Sequence, residues 1–131
     1  MNMLSMLGFD TEFVEKKIWG WKYNAYRDHY LCVDLCYVNK DGHCSWHYHN
    51  HQYNAFLVLF GKLQVIREYS PESDKKIIST IGVGCASRKT RIHPLHNHKF
   101  EALENTIFLE IGSVRYDQDD IIRDHQDLGG A

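Results

Sequence analysis

The run Gly42-His43-Cys44-Ser45-Trp46-His47-Tyr48-His49 carries two histidines separated by one residue. In a β-strand alternate side chains share a face, so His47 and His49 can aim their imidazoles at one point while Tyr48 points the other way. Neutral imidazole is the commonest nitrogen donor to first-row metals, and this spacing therefore points to metal coordination from a barrel wall. On its own so short a pattern better describes a strand with two solvent-facing histidines. A later group, Arg91-Ile92-His93-Pro94-Leu95-His96-Asn97-His98-Lys99-Phe100, offers three further donors and turns the balance toward a metal site.

The elements that must hold such donors are short strands. The chain has 131 residues, 44% of them hydrophobic and 13% aromatic, with two prolines, which suits one compact β-rich domain. A formal net charge of −2, from 15 basic and 17 acidic residues interspersed along the chain, gives no field for a polyanion, and nucleic acid is not an expected partner. Cys32, Cys36, Cys44 and Cys85 contain no Cys-x-x-Cys pair and read as buried reduced thiols in a cytoplasmic protein. The opening residues lack the basic leader of a secretory signal, and no run approaches the ~18 apolar residues of a membrane span.

Phe9, Phe13 and Val14 share a helical face, which predicts a brief helix over residues 9 to 18. Residues 1–18 are then an N-terminal extension, and residues 19–131 form the main domain. Strand runs follow at 30–38 and 44–49 around the turn Asn39-Lys40-Asp41-Gly42, and at 55–60 and 63–69 around Gly61-Lys62; both pairs are expected to be hairpins. A turn at Ser70-Pro71-Glu72-Ser73-Asp74, strands at 76–81 and 106–114, and a loose glycine-ended tip complete the pattern. Leu57, Leu59, Val65, Ile107 and Leu109 are candidates for the barrel interior or for the other sheet face. This spacing of short strands predicts an antiparallel barrel or sandwich.

The stretch from Gly42 to Gly61 resembles the first motif of the cupins, in which a glycine precedes His-x-His and a glutamate and a second glycine follow. His47, His49 and Gly61 occupy matching positions, and Asn54 stands where the glutamate is expected. His98-Lys99-Phe100-Glu101-Ala102-Leu103-Glu104 is similar to a later stretch of sugar-acting cupins, which implies His98 as the third ligand. Trp19-Gly20-Trp21 and Asp119-Asp120-Ile121-Ile122-Arg123 resemble the opening and closing segments of mannose-6-phosphate isomerase-type cupin domains. The resemblance implies an all-β, single-domain jelly-roll barrel with a short N-terminal helix, forming a homodimer around one divalent transition metal, Fe, Mn, Ni or Zn.

Three functions fit these residues. The first is a metal-dependent isomerase or epimerase acting on a sugar phosphate or similar small polar anion. His47, His49 and His98 would hold the metal, with Asn54 as a fourth ligand or substrate contact. Glu101 or Tyr53 would carry the proton, and Gln52 is a further candidate if it points inward. Arg88, Arg91 and Arg123 would clamp the anion, although a basic stretch such as Arg88-Lys89-Thr90-Arg91 is more often a solvated loop. The second is a non-haem iron dioxygenase, since thiol-oxidising cupins resemble this pattern of three histidines without the glutamate. The third is a non-catalytic module that binds a small ligand.

Overall fold

A computed structural model describes residues 3–10, 13–68, 75–113, 121–123 and 129–130. One helical turn, α1 (Met3–Met6), leads into strands β1 (Glu15–Lys17), β2 (Gly20–Arg27), β3 (Leu31–Val38), β4 (His43–Cys44), β5 (His47–Tyr48), β6 (Asn54–Phe60) and β7 (Lys62–Glu68). Then follow β8 (Lys76–Gly82), β9 (Lys89–Ile92), β10 (His98–Ala102), β11 (Thr106–Ser113), β12 (Ile122–Arg123) and β13 (Gly129–Gly130). All pairings are antiparallel. The first sheet runs β1-β2-β3-β11-β6-β9, and in the second β8 pairs with β7, β7 with β10, and β10 with both β4 and β5, which carry β13 and β12 respectively. The two layers form the expected jelly-roll barrel.

Alternation decides what lies inside. On β6 Asn54, Phe56 and Val58 are buried, on β10 His98, Phe100 and Ala102, and on β7 Leu63 and Val65. Three rings fill the centre: Phe100 and Phe108 stand edge to face at 5.2 Å and Phe56 and Phe108 at 5.7 Å, while Trp19 meets Phe100 at 5.2 Å. Of the proposed interior residues Val65 is fully buried, whereas Leu57, Ile107 and Leu109 are half-buried on the opposite face and Leu59 is exposed.

Several expectations are corrected. Among the described residues the helix expected over residues 9 to 18 does not form; residues 15–17 instead pair with β2, because the paired edge of a sheet satisfies their backbone, and the α-helix described is Met3–Met6. Neither expected hairpin is one. β3 and β6 belong to the first sheet and β4 and β7 to the second, so Asn39–Gly42 and Gly61 are corners where the chain changes layers. At Gly61 the backbone is left-handed (φ 86°), and a Cβ would strike the Asn105 carbonyl and Thr106, so the corner requires glycine. Gly129 and Gly130, expected to be loose, form β13 against β4. β2, β9 and β10 were not expected as strands, and β2 and β9 extend the first sheet at both flanks. The turn at 70–74 and the pair Asp119-Asp120 lie outside the described residues.

Phe108 is fully buried between the other two phenylalanines. Phe108→Ala is expected to lower unfolding stability by about 3–5 kcal/mol, read from the urea midpoint at unchanged slope; a loss under about 1 kcal/mol would contradict a single close-packed core.

Candidate metal centre

Strand register brings three histidines together. His47 on β5 and His98 on β10 are direct cross-strand partners, and His49, two residues beyond His47, returns to the same inward face. Ring centroids lie 4.5 Å apart for His47 and His98, 5.2 Å for His47 and His49, and 5.7 Å for His49 and His98. One nitrogen from each ring lies within 4.8 Å of the others, all three residues are buried, and no other group of three His, Cys, Asp or Glu side chains is so arranged among the described residues.

Backbone carbonyls fix the tautomers. His47 Nδ1 donates to the Ser45 carbonyl at 2.6 Å, and His98 Nδ1 donates to the His96 carbonyl at 2.9 Å. A carbonyl only accepts, so each ring carries its proton on Nδ1 and keeps a lone pair on Nε2. The Nε2 atoms of His98 and His49 are buried and make no hydrogen bond. Burial, reinforced by the adjacent His98 and His49 rings, holds His47 well below the ordinary 6.5. Burial likewise takes His98 down to about 4, against the opposing pull of its bond to His96. Neutral His47 and His98 rings, with the buried Nε2 atoms of His98 and His49 left without partners, match the donor set that a first-row divalent cation needs, and the residues present fit such an ion.

With this geometry the fold can be compared with solved structures. The chain superposes on Lactobacillus farciminis oxalate decarboxylase in its formate complex with a TM-score of 0.68 at 14% identity, over 84% of this chain and 33% of that one. CapF bound to the inhibitor 3-isopropenyl-tropolone matches with a TM-score of 0.72 at 16% identity, over 94% of this chain and 42% of that one. The capsular polysaccharide assembling protein CapF from Staphylococcus aureus matches with a TM-score of 0.66 at 20% identity, over 84% of this chain and 31% of that one. The fold is that of the cupins. This chain spans a third to two fifths of the length of these larger structures. No family model and no curated protein matches the sequence.

In this barrel Asn54, which stands where the resemblance expects a glutamate, is 1% exposed on the inward face of β6. Its Oδ1 accepts from Gln52 Nε2 at 2.7 Å, while Asn54 Nδ2 and Gln52 Oε1 are buried without partners. Half-turns of both amides reverse that bond and expose the Asn54 carbonyl lone pairs instead, so each residue of the pair retains one unmet amide end either way. Gly112, in register with Asn54, makes room for it: a Cβ there would collide with the Gln52 amide nitrogen.

The remaining sequence candidates separate by parity. Glu101 lies on the outward face of β10, since His98, Phe100 and Ala102 take the inward one, and it pairs with Lys99 at 3.3 Å. Tyr53, one residue from Asn54, is 46% exposed, its ring against His93. Neither joins the cluster of His47, His49 and His98, which corrects their expected placement: one step along a strand reverses the face. Arg88 and Arg91 are exposed and do not line the cavity beside the histidines, whereas Arg123, paired with His47 through β12, does. His93 and His96 stay outside the cluster.

That cavity, of about 370 Å³, reaches from His47 and His49 past Phe56 and Phe100 to charged side chains that sequence reasoning missed: Lys17, Lys22 and Glu110. For Glu110 the signal was present in Ile107-Phe108-Leu109-Glu110, where strict alternation gives an acid the same parity as a core phenylalanine. Lys22 lay on a strand that went unread.

Two outcomes follow from this geometry. A histidine whose folded pKa is depressed binds fewer protons folded than unfolded, so stability is intact above the ordinary 6.5 and falls as pH drops from 6.5 toward 4. Metal-stripped protein should accordingly lose on the order of 3 kcal/mol across that window through His98, seen as a falling thermal midpoint that His98→Gln flattens; a midpoint equally steep in that variant would contradict the assignment. Gly112→Ala should destabilise the fold by about 1–3 kcal/mol by overpacking the Gln52–Asn54 pair, and Gly112→Ala combined with Gln52→Ala should recover part of the loss in the same melts.

Proposed function

We propose that this protein is a metal-dependent cupin enzyme that takes a small polar anion, such as a sugar phosphate or a compact carboxylate, and moves a proton beside its carbonyl as isomerases and epimerases do. The observation that carries the proposal is the convergence of three buried imidazoles, two of which, His47 and His49, line a small cavity that Arg123 also lines. A divalent metal held by His47, His49 and His98 supplies Lewis-acid polarisation of a carbonyl or phosphoryl oxygen. Arg123 provides positive charge for the anion, and Phe56 and Phe100 keep one side of the cavity dry. The names of the structural neighbours support both substrate classes, one being an oxalate decarboxylase in complex with formate and the other a capsular polysaccharide assembling protein. Four free cysteines suit the reducing cytoplasm, and exposed Leu59 and Phe60 on the first sheet suit a homodimer.

A second enzyme class draws on one observation: the histidine cluster contains no carboxylate. Three-histidine iron sites with open positions suit oxygen chemistry on a thiol or small organic acid.

Elemental mass spectrometry on untagged protein tests the proposal. Near-stoichiometric Fe, Mn, Ni or Zn is expected in the wild type and should vanish in His47→Ala/His49→Ala. Turnover of a sugar-phosphate panel then separates the isomerase from the dioxygenase, for which oxygen uptake with Fe²⁺ and a thiol is the signature. A wild type that neither carries nor takes up metal would overturn both enzymes, and full loading with neither turnover nor oxygen uptake would leave a ligand-binding module.

A further inference from the structure

The inner wall of the first sheet carries a charge pattern that the three-histidine cluster leaves unexplained. Asn24, Asp34, Glu110 and Phe56 stand in one register row across β2, β3, β11 and β6, and therefore share a face. Asp34 and Glu110 are thus carboxylates in directly opposed cross-strand positions, an arrangement that repels. Lys22 restrains both: its Nζ lies 3.2 Å from Asp34 Oδ2 and 3.7 Å from Glu110 Oε2, with no more than 19% of any of the three side chains exposed. Asp34 also accepts from Asn24 at 2.9 Å. Lys22 therefore neutralises chiefly Asp34, through its shorter contact, and the trio keeps one net negative charge. That surplus sits at Glu110, which lines the cavity that holds His47 and His49.

A cation on three neutral imidazoles keeps its full charge, and Asn54 contributes none to offset it. Glu110 is not among the side chains whose donor atoms converge, so it acts through space. We propose that Glu110, restrained by Lys22 and Asp34, is the charge-balancing carboxylate of this metal centre and strengthens dication binding without coordinating. The inference rests on the metal-binding reading above. A carboxylate lining the same cavity as His47 and His49 favours any cation held there.

The test measures Co²⁺ affinity of the chelator-stripped full chain by competition with a chromophoric chelator. Glu110→Gln, nearly isosteric, should weaken binding by about tenfold, Glu110→Asp should restore most of it, and Lys22→Met should tighten it. Glu104→Gln, an exposed acid paired with Lys62, should change nothing, and His98→Ala should abolish binding. Glu110→Gln within twofold of wild type, or Glu110→Asp as weak as Glu110→Gln, would overturn the proposal while leaving the histidine site intact. A wild type that binds no Co²⁺ would overturn the metal reading itself. Thermal melts of each variant separate a folding defect from an electrostatic one, and if Lys22→Met does not fold, the two Glu110 variants decide.

Discussion

Burying three imidazoles against an aromatic core sets the chemistry of the whole centre, because a charged ring there would lose its hydration. The same phenylalanines that stabilise the barrel make that environment: Phe56 lies 6.3 Å from the His98 ring and packs on both Phe100 and Phe108. Folding and readiness to coordinate are therefore one event. Ser45 and His96 complete it by holding Nδ1 of two rings through backbone carbonyls, so ring orientation follows from the path of the main chain rather than from further side chains.

The barrel interior is consequently divided. Toward the second sheet it presents neutral nitrogen donors; toward the first it presents Lys22, Asp34 and Glu110, with aromatic rings between. Carboxylates facing inward in adjacent strands run against local stability, and such departures from the usual pattern concentrate where a protein does its work.

Much of this was legible in the residues. Period-two alternation marked β6, β7 and β11 to within a residue or so, and the spacing of His47 and His49 gave their shared face directly. The resemblance to cupins picked His98 from three neighbouring histidines, and its pairing with His47 is a matter of register that no local pattern contains. What escaped was whatever depends on layer assignment. A tight turn between two apolar runs looks the same whether the chain folds back within a sheet or crosses to the opposite one, so both corners read as hairpins. β2 escaped because Gly20-Trp21-Lys22-Tyr23-Asn24 inverts the usual pattern, with polar Lys22 and Asn24 on the face toward the charged cluster and aromatic Trp21 and Tyr23 on a half-buried outer surface. Glu101 stands close to His98 in sequence, yet parity faces it away, while Glu110 on the next long strand faces in.

The cross-strand partnership of His47 and His98 also bears on how the chain holds together. The two residues are joined only through a long excursion that visits both sheets, so an ion gripping both would act as a removable crosslink across most of the barrel. Like a disulfide, it would restrict the unfolded chain by closing a large loop, and the restriction grows slowly with loop length. Unlike one, it would be set by the free metal available, through mass action on the folded state. In this protein the supply of metal would then govern the lifetime of the fold as well as its chemistry.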